Sequence, residues 1–168
     1  MTEPGFREIL AERFVYTSPE DPSARPLIEE LTYEYESRYG DRVRVGEDAE
    51  MNRYPAELFL PPHGAFVLLL REEAPIGGGA FMRYDGATAE LKRIWTRHDL
   101  RRQGIAQRVV KELEGEALLR GYQRIYLTTG TRQPEAVALY LKLGYRALYD
   151  PKVDPETLEN LPFEKSIV

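Results

Sequence analysis

The chain has 168 residues, of which 42% are hydrophobic and 30% charged, with no cysteine and a net charge of −5 from 23 basic and 28 acidic side chains. That length predicts a single domain over 1–168 with a sizeable core, and the missing cysteines exclude disulfides, thiolate metal sites and a cysteine nucleophile. The acidic total argues against general nucleic-acid binding, which needs clustered positive charge. The longest apolar run, residues 65–70, is far short of the roughly 20 residues of a membrane span. No basic segment followed by an apolar one opens the chain, so no secretory leader is read there and a cytoplasmic protein is expected.

Residues 6–17 are read as a first strand, with Phe14, Val15 and Tyr16 near its end. Leu27, Ile28, Leu31, Tyr35 and Arg38 recur at helical spacing, which predicts a helix over 24–39 stopped at Gly40. Residues 41–63, rich in charge and proline, are read as a loop with a short helix. Residues 65–71 form a strand, 73–75 a turn, 76–84 a second strand, Asp85-Gly86 a hairpin turn and 87–96 a third strand. These three make an antiparallel meander. After a loop at 98–103, Ile105, Val109, Leu113 and Ala117 draw the apolar stripe of a helix to Arg120, with Ala106 and Val110 beside it and Gly121 as its stop. Residues 123–129 are a strand, Pro134 opens a helix that Gly144 closes, 145–149 is a strand, 151–161 a loop and 163–168 a last strand. The order is mixed α+β.

The segment 101–106, Arg-Arg-Gln-Gly-Ile-Ala, lies between a strand and an amphipathic helix. Unpaired N–H groups at a helix start carry partial positive charge and bind phosphate. Gly104, with no Cβ, admits an anion close to the backbone. Lys92, Arg93, Arg97, Arg101 and Arg102 add charge around it. The other reading of this segment is an ordinary helix start with a solvated basic face. It is neither a Walker loop, for no Gly-Lys-Ser/Thr follows, nor the dinucleotide fingerprint, for it holds one glycine.

Arg101-x-x-Gly104-x-Ala106 resembles the pyrophosphate signature of the GCN5-related N-acetyltransferases. Residues 89–96 resemble that family's fourth strand, 127–136 its fifth strand and following loop, and 138–145 its last helix. The match is close over 87–149 and loose over the first sixty residues. The resemblance implies a mostly antiparallel sheet of about seven strands with flanking helices, its fourth and fifth strands splayed. It implies acetyl-coenzyme A as acyl donor and no metal. The backbone of Ile94, Trp95 and Thr96 would pair with the pantetheine arm as an added strand does, Trp95 itself being a core or wall residue. Arg101, Arg102, Gln103, Gly104, Ile105 and Ala106 would hold the pyrophosphate. Thr129, Gln133 and Ala136 complete the donor site.

Tyr140 then corresponds to the family's general acid, since a phenol of pKa about 10 stays protonated at neutral pH and donates to a departing thiolate. The other reading is a helix tyrosine packed on the sheet. Glu90 is the candidate base for the attacking amine, on a strand face expected to carry Glu90, Lys92, Ile94 and Thr96 together. A structural glutamate paired with Lys92 or Arg93 is the alternative. Glu34, Tyr35, Arg38 and Tyr39 are the acceptor-side candidates, the acids for a cationic amine and Arg38 for a carboxylate; ordinary solvated helix positions account for them equally. Gly77-Gly78-Gly79 is read as a bulge or a close backbone approach, and His63 and His98 as solvated. The expected partner is a small-molecule or peptide amine, with a homodimer possible in this family. A non-catalytic acyl-coenzyme A sensor on the same fold is the competing function, and Tyr140 favours the enzyme.

Overall fold

The computed structural model describes residues 11–40 and 53–168. Seven strands and three helices follow the order β1 (Glu12–Tyr16), α1 (Arg25–Tyr39), β2 (Ala65–Arg71), β3 (Ala74–Arg83), β4 (Thr88–Thr96), α2 (Ile105–Leu119), β5 (Arg124–Thr129), α3 (Pro134–Lys142), β6 (Arg146–Ala147) and β7 (Leu161–Ser166). One mixed sheet has the order β1-β2-β3-β4-β5-β7-β6. Its single parallel contact joins β4 to β5, which α2 connects. The start of the expected first strand, 6–10, and most of the expected loop, 41–52, lie outside the described residues.

Both faces of the sheet are covered, which is why β2 reads as an unbroken apolar run instead of an alternating one. Ala65, Val67 and Leu69 join a core that includes Val109 and Leu113 of α2 and Tyr140 of α3. Phe66, Leu68 and Leu70 join a second core with Leu27 of α1, Phe59 and Trp95. Gly121 and Gly144 have φ of 94° and 91°, the left-handed conformation that ends a helix at little cost to glycine.

Several boundaries differ from the sequence reading. The β2–β3 turn is Glu72-Glu73, with φ of 50° and 66°, and Pro75 lies inside β3 opposite Leu70. An Arg13–Glu73 ion pair at 2.8 Å supports a turn that carries no glycine. β6 is cut to two residues. β7 starts at Leu161 and pairs with β5 along its whole length, Pro162 opposite Thr128 included.

The three glycines of β3 let helices approach from both sides. A Cβ on Gly77 would lie 2.6 Å from Ile105 Cγ2, and one on Gly79 would lie 2.6 Å from Ile94 Cδ1. A Cβ on Gly78 would lie 2.8 Å from the Val67 carbonyl oxygen and 2.9 Å from Leu27 Cδ1 on the opposite face. The β3–β4 register also shifts between Gly78 and Ala80, so the triplet combines close approach with a bulge. Gly78→Ala should therefore overpack the sheet–α1 contact and lower stability by about 1–3 kcal/mol, read as a lower midpoint in chemical denaturation. Gly86→Ala is the control, because its Cβ would meet only Arg83 Nη2 at 3.8 Å. Equal midpoints for the two variants would refute the close-approach account.

Candidate active site

β4 pairs with β5 only from Thr88 to Glu90. Past Glu90 the two strands separate, and the β4 backbone has no partner strand on that side. On its other side β4 stays paired with β3, but Gly78 faces Trp95 while Ala80 faces Lys92, so β4 carries one extra residue. Arg93, with φ 59°, sits at that bulge. A bulge bends its strand and increases its twist, which turns the rest of β4 away from β5.

The bulge also reverses the side-chain alternation. Lys92 packs on Tyr54, its Nζ 4.7 Å from the ring centroid, and Trp95 lies in the core on that side with Leu27 and Phe59. Ile94 instead packs against the α2 core. The expected shared face of Glu90, Lys92, Ile94 and Thr96 is thus broken after Lys92, where the extra residue shifts the two-residue period by one.

A cleft of about 1150 Å³ opens at the separation. Along β4 it is lined by residues 91–96, among them Ile94, Trp95 and Thr96, and along β5 by residues 127–129. Arg101, Arg102, Gly104, Ile105 and Ala106 form one end, with Gln107 of the next helical position beside them; Gln103 of the same turn does not line it. Glu34, Tyr35, Arg38 and Tyr39 of α1 line it, as do Gln133, Ala136 and Tyr140.

The turn before α2 suits an anion. Arg102 and Gly104 have φ of 65° and 78°, and a Cβ at Gly104 would meet nothing within 4 Å. No side chain caps the helix start, and its first turn holds no acidic residue. The N–H groups there keep their partial positive charge with no internal acceptor.

Tyr140 is 6% exposed. Its ring packs edge-on to Tyr145 and tilted against Phe163, with centroids 5.5 and 6.0 Å away. Burial pushes its phenol above the ordinary value, so it is protonated throughout the neutral range. The ring is a core element, and the residue also lines the cleft.

Glu90 is also buried but does not line the cleft. Its Oε2 lies 3.0 Å from Lys92 Nζ, which does line it. Burial drives the Lys92 ammonium down, but Glu90 outweighs it and leaves the group above its ordinary value. The acceptor-side residues form a charged cluster: Glu34 contacts Arg38 and Arg101, each at 3.1 Å, and Arg38 also pairs with Glu135. Burial tends to raise the Glu135 carboxyl, and the Arg38 hydrogen bond overcomes it, holding it below the ordinary range.

Sequence reading missed Tyr54, Gln107, Glu135 and Lys142 as cleft residues. Gln107 and Glu135 had a signal available, each lying in the first turn of a helix that opens on the cleft. His98 is not simply solvated, since its Nδ1 lies 3.1 Å from Glu30 Oε2, although its side chain is 74% exposed. Among the described residues, no group of three or more His, Cys, Asp or Glu side chains could hold a metal ion. No helix among them is long and apolar enough to cross a membrane.

The profile of the acetyltransferase (GNAT) family matches residues 10–145. Human N-acetyltransferase 8 is 35% identical over 80 residues, which take in 45% of this chain and 35% of that protein. The chain therefore matches about a third of the length of that curated relative. Among solved structures, an acetyltransferase of the GNAT family from Staphylococcus aureus Mu50 superposes with a TM-score of 0.73 at 16% identity, covering 94% of this chain and 100% of the other. PaiA N-acetyltransferase from Thermoplasma acidophilum, solved in complex with coenzyme A, gives 0.70 at 16% identity, over 93% and 99% of the two chains.

Proposed function

The chain belongs to the acetyltransferase (GNAT) family, and from that premise we propose that it moves acetyl from acetyl-coenzyme A directly to a primary amine. The observation that carries the reading is the separation of β4 from β5 after Glu90, because the resulting cleft runs from an uncapped helix N-terminus to a buried phenol. The fold likeness to a protein holding coenzyme A supports the same donor.

In this proposal Gly104, Ile105, Ala106 and the neighbouring arginines bind the pyrophosphate, and the free backbone of residues 94–96 pairs with the pantetheine arm. Thr129, Gln133 and Ala136 also line the cleft. The amine nitrogen attacks the thioester carbonyl, a C–N bond forms, and the C–S bond breaks. Tyr140 gives its proton to the leaving sulfur. A lysine-like amine of pKa about 10.4 is neutral in only about one molecule in a few thousand at pH 7, so the reaction needs a proton acceptor. We assign that role to Glu90, acting through water beside Lys92. Holding donor and acceptor together supplies the proximity contribution.

Three measurements test these assignments. Gly104→Glu places bulk and like charge where the phosphates bind, and calorimetry should detect no binding of acetyl-coenzyme A to the folded variant. Unchanged affinity there would rule out the phosphate site.

Glu90→Gln should lower kcat at neutral pH, with part of the loss recovered at high pH, where more of the acceptor is already neutral. A pH–rate profile identical to wild type would move the base role elsewhere.

Tyr140→Phe keeps the packing against Tyr145 and Phe163 and removes only the donor. Its kcat should fall by about 10-fold or more, with cofactor affinity nearly intact. Wild-type kcat under conditions where chemistry limits turnover would remove Tyr140 from the mechanism.

A further inference from the structure

One carboxylate links the phosphate-binding turn to the acceptor side of the cleft. Glu34 Oε1 lies 3.1 Å from Arg38 Nη2, and Oε2 accepts a hydrogen bond from Arg101 Nη2 at 3.1 Å. Arg38 also pairs with Glu135, at the start of α3. All four residues line the cleft. Their formal charges cancel, two guanidinium groups against two carboxylates. The Arg101 side chain is 46% exposed and that of Glu34 is 19% exposed, so Arg101 is the partner that an anion arriving from solvent reaches first.

We propose that Arg101 is exchanged between Glu34 and the donor pyrophosphate, and that the Glu34 carboxylate released in this way binds the ammonium group of a cationic amine acceptor. The inference rests on the reading of residues 101–106 as the phosphate site. Once a phosphate oxygen has taken up the charge of Arg101, the remaining Arg38, Glu34 and Glu135 carry one net negative charge. That charge faces a cleft that Trp95 and Tyr35 also line, where reduced dielectric strengthens its attraction for a cation. Before the donor binds, the same carboxylate is neutralised and has little to offer an ammonium group. The acceptor site is therefore completed by the donor.

This exchange has a signature that a merely structural Glu34 would not give. Because Glu34 competes with phosphate for Arg101, removing its charge helps the donor and harms the acceptor. Reciprocity requires the donor to raise acceptor affinity by the factor by which the acceptor raises donor affinity.

The test is calorimetric titration of coenzyme A, and of 1,4-diaminobutane as a cationic probe. The proteins are wild type, Glu34→Gln and Glu34→Asp, the last keeping the charge but shortening the reach to Arg101. Both variants should bind coenzyme A more tightly by about 2- to 5-fold, the range for loss of one partly exposed ion pair. Wild type saturated with coenzyme A should bind the diamine several-fold more tightly than free wild type, and Glu34→Gln should lose that difference. Coenzyme A affinity unchanged or weakened in both variants, with wild-type thermal unfolding, would end the exchange while leaving the donor site standing. Diamine binding that is absent, or indifferent to coenzyme A, would overturn the acceptor half. Failure of wild type to bind coenzyme A at all would instead remove the donor-site reading beneath both.

Discussion

The site depends on a backbone constraint: β4 and β5 are parallel neighbours for three residues and then separate. A buried strand edge with unpaired N–H and C=O groups is costly unless water or a ligand satisfies them. Here the opening is built into the sheet from the β3 side. The glycine triplet in β3 and the bulge at Arg93 in β4 add one residue to β4. The chain bends where the parallel ladder would otherwise continue, and the cleft opens along the bent half. Among the described residues, two of the four non-glycine residues with positive φ, Arg93 and Arg102, line that cleft. Sparsely populated backbone conformations of this kind persist where surrounding structure holds them, and they gather at functional sites.

The electrostatics of the cleft contrast with those of the whole chain. A protein of net charge −5 lines this opening with Arg38, Arg53, Lys92, Arg93, Arg101, Arg102 and Lys142 against Glu34, Glu135 and Glu159. The uncapped start of α2 adds its own positive end. The excess is local, and it suits a multiply charged phosphate ligand that comes to one place.

The residue pattern revealed what repeats or ends abruptly. The apolar run of β2, the α2 stripe and the stops at Gly121 and Gly144 follow from periodicity and glycine chemistry, and each falls at its expected place within a residue or two. The glycine turn that precedes α2 was legible as a turn, since Gly104, with φ of 78°, stands directly before the apolar stripe of the helix. The bulge at Arg93 was not legible. Bulges with left-handed residues are usually signalled by glycine in the bulged strand, and here the glycines lie in the partner strand β3. Without the bulge, strict alternation put Ile94 beside Lys92. The Glu72-Glu73 turn escaped for the same reason, since its left-handed pair carries no glycine or asparagine. The surroundings of the Glu90–Lys92 pair were not legible either, since the Lys92 ammonium also donates to the Tyr54 hydroxyl, a tertiary contact from a segment 38 positions away.

A sheet that parts after three paired residues needs another tie between its halves, and the C-terminal end of α1 supplies it. Arg38 Nη1 donates to the Arg132 carbonyl at 3.0 Å, and Arg132 Nη1 donates back to the Arg38 carbonyl at 2.7 Å. The Tyr39 hydroxyl accepts from the Arg132 amide at 2.9 Å, and Gln133 Oε1 accepts from the Gly130 amide at 3.1 Å. Gly130 is small for a reason, since a Cβ there would lie 1.9 Å from the Tyr39 hydroxyl. This clasp joins a helix packed over the β1–β4 half to the loop leaving β5 on the other half. It therefore ties the two halves together beside the opening. The same residues line the cleft through Arg38, Tyr39, Gly130 and Gln133, so the groups that tie the halves together also face whatever enters between them.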